Sequence, residues 1–233
     1  MEICGENNEN SIKFYESFET DDEFAIVMEL ADENLNKFTK HKENKRLNIQ
    51  EIREILIQLN NTFKIMNEKK IVHRNLKPRN ILIKYKDKKH KDFIAKLCDY
   101  GISKITTEYT QAKTMNKGTI TYMAPEIMRL KEDNRYSNKC DLWSLGKIIY
   151  ELYFGEVSFK EELKNLISGK RALEKKKLKK TNDEKLDDLI NGLLEEYPNK
   201  RMSWEQYFNH PFFNIEEIAI QEITIVYKNT EKK

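Results

Sequence analysis

Between Ile12 and Met66 the hydrophobic period of this chain changes, and that change bounds the fold more tightly than any other feature. Ile12, Phe14 and Phe18 keep a spacing near two, and Phe24 to Met28 form a short β-rich run. Glu19-Thr20-Asp21-Asp22 between them reads as a turn, so the segment predicts a β-hairpin. From Ile49 the spacing switches: Ile49, Ile52, Leu56, Leu59, Phe63 and Met66 alternate steps of three and four, which is one face of a helix. A two-stranded hairpin by itself is marginal in water. This one needs strands from elsewhere, or it is poorly ordered.

The remainder is mostly helical. Ile81 to Tyr85 and Phe93 to Leu97 read as short strands joined by the charged turn Lys86 to Asp92, and residues 102–121, rich in Thr and Lys, read as a long loop. Ser137 is placed to cap a helix apolar on nearly every side (Leu142, Trp143, Leu145, Ile148, Ile149, Leu152), the mark of a buried helix. Residues 168–180 form a lysine-rich connector, read as a solvated loop. Thr181 with Glu184 fits a capping box for a helix that turns Leu186, Leu189, Ile190, Leu193 and Leu194 inward. Ser203 with Gln206 fits a second, with Met202 and Tyr207 as its hydrophobic staple. Residues 1–10 and those from Asn214 carry no strong signal. The pattern is α+β, with a small β part ahead of a helical one.

Composition excludes several classes of function. A net charge of +3 on 233 residues gives no argument for nucleic-acid binding, and no apolar run approaches the roughly 20 residues of a membrane helix. Cys4, Cys98 and Cys140 are odd in number and far apart, so they suggest neither a disulfide framework nor a metal site. Together with an N-terminus that does not read as a signal peptide, they imply a cytoplasmic protein, the nucleus being possible.

Five motifs then occur in order. His73-Arg74-Asn75-Leu76-Lys77-Pro78-Arg79-Asn80 resembles the His-Arg-Asp-x-x-x-x-Asn catalytic loop of eukaryotic protein kinases, with Asn75 at the aspartate position. Asp99-Tyr100-Gly101 resembles Asp-Phe-Gly, and Gly118 to Glu126 resembles the substrate-facing segment that ends in Ala-Pro-Glu. Asp141-Leu142-Trp143-Ser144-Leu145-Gly146 resembles the start of the central buried helix, and Arg201 the arginine that pairs with the Ala-Pro-Glu glutamate, Glu126. The resemblance, to the Ser/Thr type, covers about residues 11–213. It implies a protein-kinase-like fold: residues 1–30 a remnant of the N-lobe, 31–213 the C-lobe and 214–233 a tail.

The resemblance also assigns roles. Asp99 and Asn80 would supply the hard oxygen ligands magnesium prefers. Lys77 would face the transferred phosphate of ATP, with Thr119 beside it. Met28 would be the gatekeeper, Glu29 and Ala31 would offer backbone groups to the adenine, and Leu82 would form its floor. His73, Arg74, Tyr100, Gly101 and Asp141 are scaffold positions of the same loops. Thr114 is a candidate phosphorylation site whose phosphate would pair with Arg74.

Two departures bear on activity. An amide lacks the basicity to accept a substrate hydroxyl's proton, although its oxygen can still accept a hydrogen bond. In addition, no glycine-rich G-x-G-x-x-G and no Val-Ala-x-Lys strand is present, and Glu2, at the last trace of helix C, has no lysine to pair with. The expectation is a pseudokinase that acts by binding a regulatory partner or protein substrate, with residual Mg-ATP binding. The alternatives are an active protein serine/threonine kinase whose N-lobe is missing from this gene model, and a non-functional fragment.

Overall fold

The computed structural model describes residues 8–20, 24–89, 92–100, 121–128, 138–155 and 178–214. Strands β1 (Phe14–Glu19) and β2 (Phe24–Met28) form the expected antiparallel hairpin, with an irregularity between Phe14 and Glu16. Both strands are thinly covered: Tyr15, Phe18, Phe24, Ile26 and Met28 are exposed. The second sheet has the order β3 (Glu33–Asn34), β4 (Ile81–Tyr85), β5 (Phe93–Leu97), all antiparallel. Ile81 and Ile83 of β4 are buried, as are Phe93, Ala95 and Leu97 of β5, so this face of the sheet joins the core.

Helix α1 (Leu35–Lys40) follows β3 and is capped by Asn34, whose side chain accepts from Lys37 N–H. At six residues it is too short for a periodic signal, and Leu35 and Phe38 bury its inner face. Helix α2 (Ile49–Glu68) carries the three-four stripe inward and opens on a complete capping box, Asn48 with Glu51. Helix α3 (Pro125–Met128) is one turn.

Helix α4 (Lys139–Phe154) is buried on nearly every side, as its composition implies. Gly146 is its closest approach to α5 (Glu184–Leu193): a methyl there would stand 2.8 Å from the Leu193 Cβ. Asn138 stands at the start of α4 without a side-chain capping bond, its amide donating instead to Asn67 at the end of α2, and the expected cap Ser137 lies outside the described residues.

The α5 N-terminus corrects the second expected cap. Asp183, not Thr181, accepts from Leu186 N–H, because its carboxylate stands three residues before a free N–H. Thr181 instead exchanges hydrogen bonds with the Asp183 backbone and donates its own N–H to Asp187. The Ser203–Gln206 box of α6 (Trp204–Phe208) is complete, and Met202 packs under Gly192 of α5.

The residues just ahead of β1 are the largest departure from expectation. Asn8, Asn10 and Ser11 are buried polar residues that splice the chain into the core. Asn8 donates to Thr62 of α2 at 2.9 Å, and Asn10 donates to the Ala95 carbonyl at 3.0 Å. Leu97 N–H donates to the Asn10 carbonyl, and Ile12 N–H donates to the Leu97 carbonyl, which forms a parallel bridge at the edge of β5. A buried polar segment survives only with such partners.

Candidate active site

The loop from Val72 to Asn80 is held from below by one buried carboxylate. Asp141, in the first turn of α4, accepts the N–H of His73 at 2.7 Å and that of Arg74 at 2.8 Å. Its burial raises its pKa, against the opposing effects of His73 and Arg74. The two N–H groups are the reason an acceptor is needed at this depth: His73 is buried, and Arg74 sits at φ 65, in the left-handed region, where it cannot join a regular ladder.

His73 is a structural imidazole. Its Nε2 lies 3.1 Å from the Cys98 carbonyl, while Nδ1 accepts from Asn75 N–H at 3.3 Å. One nitrogen donating and the other accepting is the neutral form. Burial pushes the His73 pKa down, against the pull of Asp141. The Cys98 thiol is pushed up to about 12 by burial and by the Asp99 carboxylate, which leaves it inert.

At the loop's mouth three side chains meet. Asn75 Nδ2 donates to Asp99 Oδ2 at 2.8 Å, and Asn80 Nδ2 donates to the same oxygen at 3.0 Å and to the Asn75 carbonyl at 2.8 Å. The Asn75 side-chain oxygen is buried without a hydrogen-bond partner among the described residues. Asp99, like Arg74, is left-handed, at φ 57. Lys77 precedes the 3-10 turn Pro78–Asn80 that feeds β4 and lies near enough to Cys98 to act on its thiol. Tyr100 is buried, and its hydroxyl donates to Ser11 Oγ at 2.6 Å, which ties the Asp-Tyr turn to the spliced N-terminal segment.

The donor set is of the right chemical kind for a magnesium ion, since Asp99 and Asn80 both carry oxygens. Its orientation is not, because both amides turn N–H groups toward Asp99.

The residues expected around adenine are only partly a slot. Met28 is exposed, and Ala31 and Leu82 are half-buried. Glu29 is buried and its carboxylate is occupied: it accepts from Lys84 Nζ at 2.6 Å and Lys13 N–H at 3.3 Å, and pairs with Lys96 Nζ at 3.1 Å. Its own N–H goes to the Lys13 carbonyl, so only its carbonyl could serve a base. Leu82 pairs with Lys96 in register, so Lys96 lies on the Leu82 face of the sheet. Sequence reasoning overlooked Lys96. The available signal was a lysine in a strand where a period-two pattern leaves one face to be covered.

Glu126 and Arg201 form the expected pair. Arg201 is fully buried and donates to both Glu126 oxygens, at 2.6 and 2.8 Å, and to the carbonyls of Lys139, Glu195 and Glu196. Its guanidinium lies 5.3 Å from the Trp143 ring. Gly101, Thr114 and Thr119 lie outside the described residues, as do Glu2 and all but the ends of the expected loop and lysine-rich connector.

Two groups make the fold acid-sensitive. Burial alone would raise the Glu29 pKa, but hydrogen bonds from Lys84 and Lys96 outweigh it and hold the carboxyl below its usual range. His73 is likewise lower folded than unfolded. In both cases the unfolded chain binds protons first, so stability is lost as pH falls. Thermal midpoints are expected to fall in two stages on acidification. The first begins below the ordinary histidine value of about 6.5, and the second below the glutamate value of about 4.3. The Glu29→Gln variant is expected to lose less of its thermal midpoint than the wild type below that value in a pH series of melts, with the raised pKa values of Asp141 and Glu54 acting in the opposite sense in both chains.

This helical body, with its catalytic-type loop bound to a buried aspartate and its arginine–glutamate pair, has the architecture of a protein kinase domain. The chain belongs to the protein kinase family: the family model for the protein kinase domain matches residues 4–213. It is similar to serine/threonine-protein kinase TIO of Arabidopsis thaliana, at 32% identity over 220 residues, covering 93% of this chain and 16% of that protein. It is also similar to serine/threonine-protein kinase fused of Drosophila melanogaster, at 32% identity over 202 residues, covering 86% of this chain and 24% of that protein. The chain thus spans under a third of the length of either relative. Protein kinase domains generally use ATP with magnesium and act on, or are regulated by, other proteins. No helix among the described residues is long and apolar enough to cross a membrane.

Proposed function

We propose that this kinase domain is impaired in phosphotransfer and acts by binding a protein partner. The observation that carries the reading is Asn75. Its amide cannot take a proton from a substrate hydroxyl, and its N–H is directed at the Asp99 carboxylate. Losing a general base costs on the order of 10²–10⁴ in rate. What remains at position 75 is a hydrogen-bond acceptor, since the amide oxygen is buried and has no partner among the described residues.

The second reading, an active serine/threonine kinase, is favoured by the retained Asp99–Asn80 pair and by Lys77. When bound, magnesium would neutralise phosphate charge, with Asp99 and Asn80 as its holders on this chain. ATP would sit by Met28, Glu29, Ala31 and Leu82.

Incubating the purified chain with labelled Mg-ATP and a mixture of generic protein substrates separates the two. The expected result is transfer at or near background, unchanged by Asp99→Ala. Robust transfer that disappears in Asp99→Ala would establish the active reading. A thermal shift with Mg-ATP measures nucleotide binding independently of turnover.

A further inference from the structure

Among the described residues, the exposed large apolar side chains gather on one element: all but Tyr197 lie between Tyr15 and Leu30. A patch concentrated in this way marks a contact surface. On β2, Phe24 is 64% exposed, Ile26 40% and Met28 39%, and alternation puts the three on one face of the strand. Strand β1 gives this row little apolar cover. Phe24 stands opposite Glu19 and Ile26 opposite Ser17, so only Met28 has an apolar neighbour, Phe14. A strand on the other edge of β2, where none lies among the described residues, would supply the missing cross-strand pairs.

The chain itself carries a complementary stretch, Ile223-Thr224-Ile225-Val226-Tyr227, outside the described residues. All five residue types favour strands. A strand this short has no stability alone, and an open sheet edge supplies what it lacks. We propose that residues 223–227 dock antiparallel to β2 along its open edge, with Ile223 opposite Met28, Ile225 opposite Ile26 and Tyr227 opposite Phe24. Charge selects this direction. Lys228 then comes to the hairpin tip, where Glu19 and the turn after it hold four acidic side chains, Glu19, Asp21, Asp22 and Glu23. Glu222 falls opposite Glu29, beside the Lys84 and Lys96 ammonium groups that already bind that carboxylate. A parallel strand would reverse both ends and set like charges together. The docked segment also closes an edge that would otherwise pair with other chains.

The tail is long enough to reach. The Phe212 carbonyl is bound by Arg53 of α2, and Thr62 of the same helix binds Asn10, three residues before Lys13 at the hairpin base. Nine helical residues and three extended ones amount to about 24 Å, and the nine residues from Asn214 to Ile223 extend to about 30 Å. The inference does not rest on whether the chain transfers phosphate, and its test involves no turnover.

The test is hydrogen exchange and cysteine cross-linking on the full chain. In the wild type, the amides of Phe24–Met28 and of residues 223–227 are expected to exchange about tenfold more slowly than in Ile225→Lys. The amides of α2 should exchange alike in both chains, as the check that the variant is folded. In dilute, air-oxidised protein, Ile26→Cys with Ile225→Cys is expected to form a disulfide within one chain that stays monomeric by size exclusion. Ile26→Cys with Thr224→Cys should not, because successive side chains of a strand point to opposite faces. If Ile225→Lys fails to fold, the two cysteine pairs decide alone. Equal exchange in the wild type and a folded Ile225→Lys, or equal cross-linking of the two cysteine pairs, would overturn the docking. A disulfide found only between chains would also overturn it and assign the edge to a second copy.

Discussion

Arg201→Ala is expected to lower stability by about 3–5 kcal/mol, the range for removing one partner of a buried ion pair. For a domain of this size that is a fall of roughly 6–15 °C in thermal midpoint. The cause is the number of groups left behind. Glu126 would lose both of its bonds to the guanidinium, and the carbonyls of Lys139, Glu195 and Glu196 would lose a donor at the same time. Arg201→Lys should recover little, because an ammonium cannot make the two-pronged contact with Glu126 and also reach carbonyls on two segments. The measurement is denaturant unfolding of Arg201→Ala, Glu126→Ala and the double variant. The expected coupling between them is well above 1 kcal/mol, and additive losses would mean that the pair itself contributes nothing.

Asp141→Ala should cost about 2–4 kcal/mol, because it strands two backbone N–H groups, one of them on a buried residue. The informative readout is local. His73 and Arg74 lie outside any helix or strand, yet their amides are bound to a buried carboxylate, so in the wild-type chain they should exchange with deuterium as slowly as core amides. In Asp141→Ala that protection is expected to vanish, and Asn75 should loosen with it, since its N–H rests on the His73 ring. Rapid exchange at His73 and Arg74 in the wild-type chain would show that Asp141 does not hold the loop.

These two contacts join residues 75 and 67–68 positions apart. The Glu126–Arg201 pair was nonetheless visible in the sequence, because each residue sits in a short motif whose order along the chain matches the family, whereas Asp141 was placed by its motif and its bonds to His73 and Arg74 came only with folding. Local signals also carried over where the interaction is local. The Ser203–Gln206 box closes within four residues, and the α2 stripe needs only its own period. Thr181 shows where local reading fails: several side chains compete for the same few N–H groups, and Asp183, two residues nearer the helix, takes the capping bond.

What the sequence determined alone was the family, the α+β order of elements and the letter at position 75. Tertiary structure decided what the polar residues do. Asn8 and Asn10 carry no periodic signal, and their burial depends on Thr62 and Ala95, which folding brings within 3.0 Å. Glu29 likewise becomes the partner of Lys84 and Lys96 only when β4 and β5 lie beside it. Asn75 follows the same rule. An asparagine can turn either end of its amide toward a neighbour, and the Asp99 carboxylate, 24 residues on, selects the N–H.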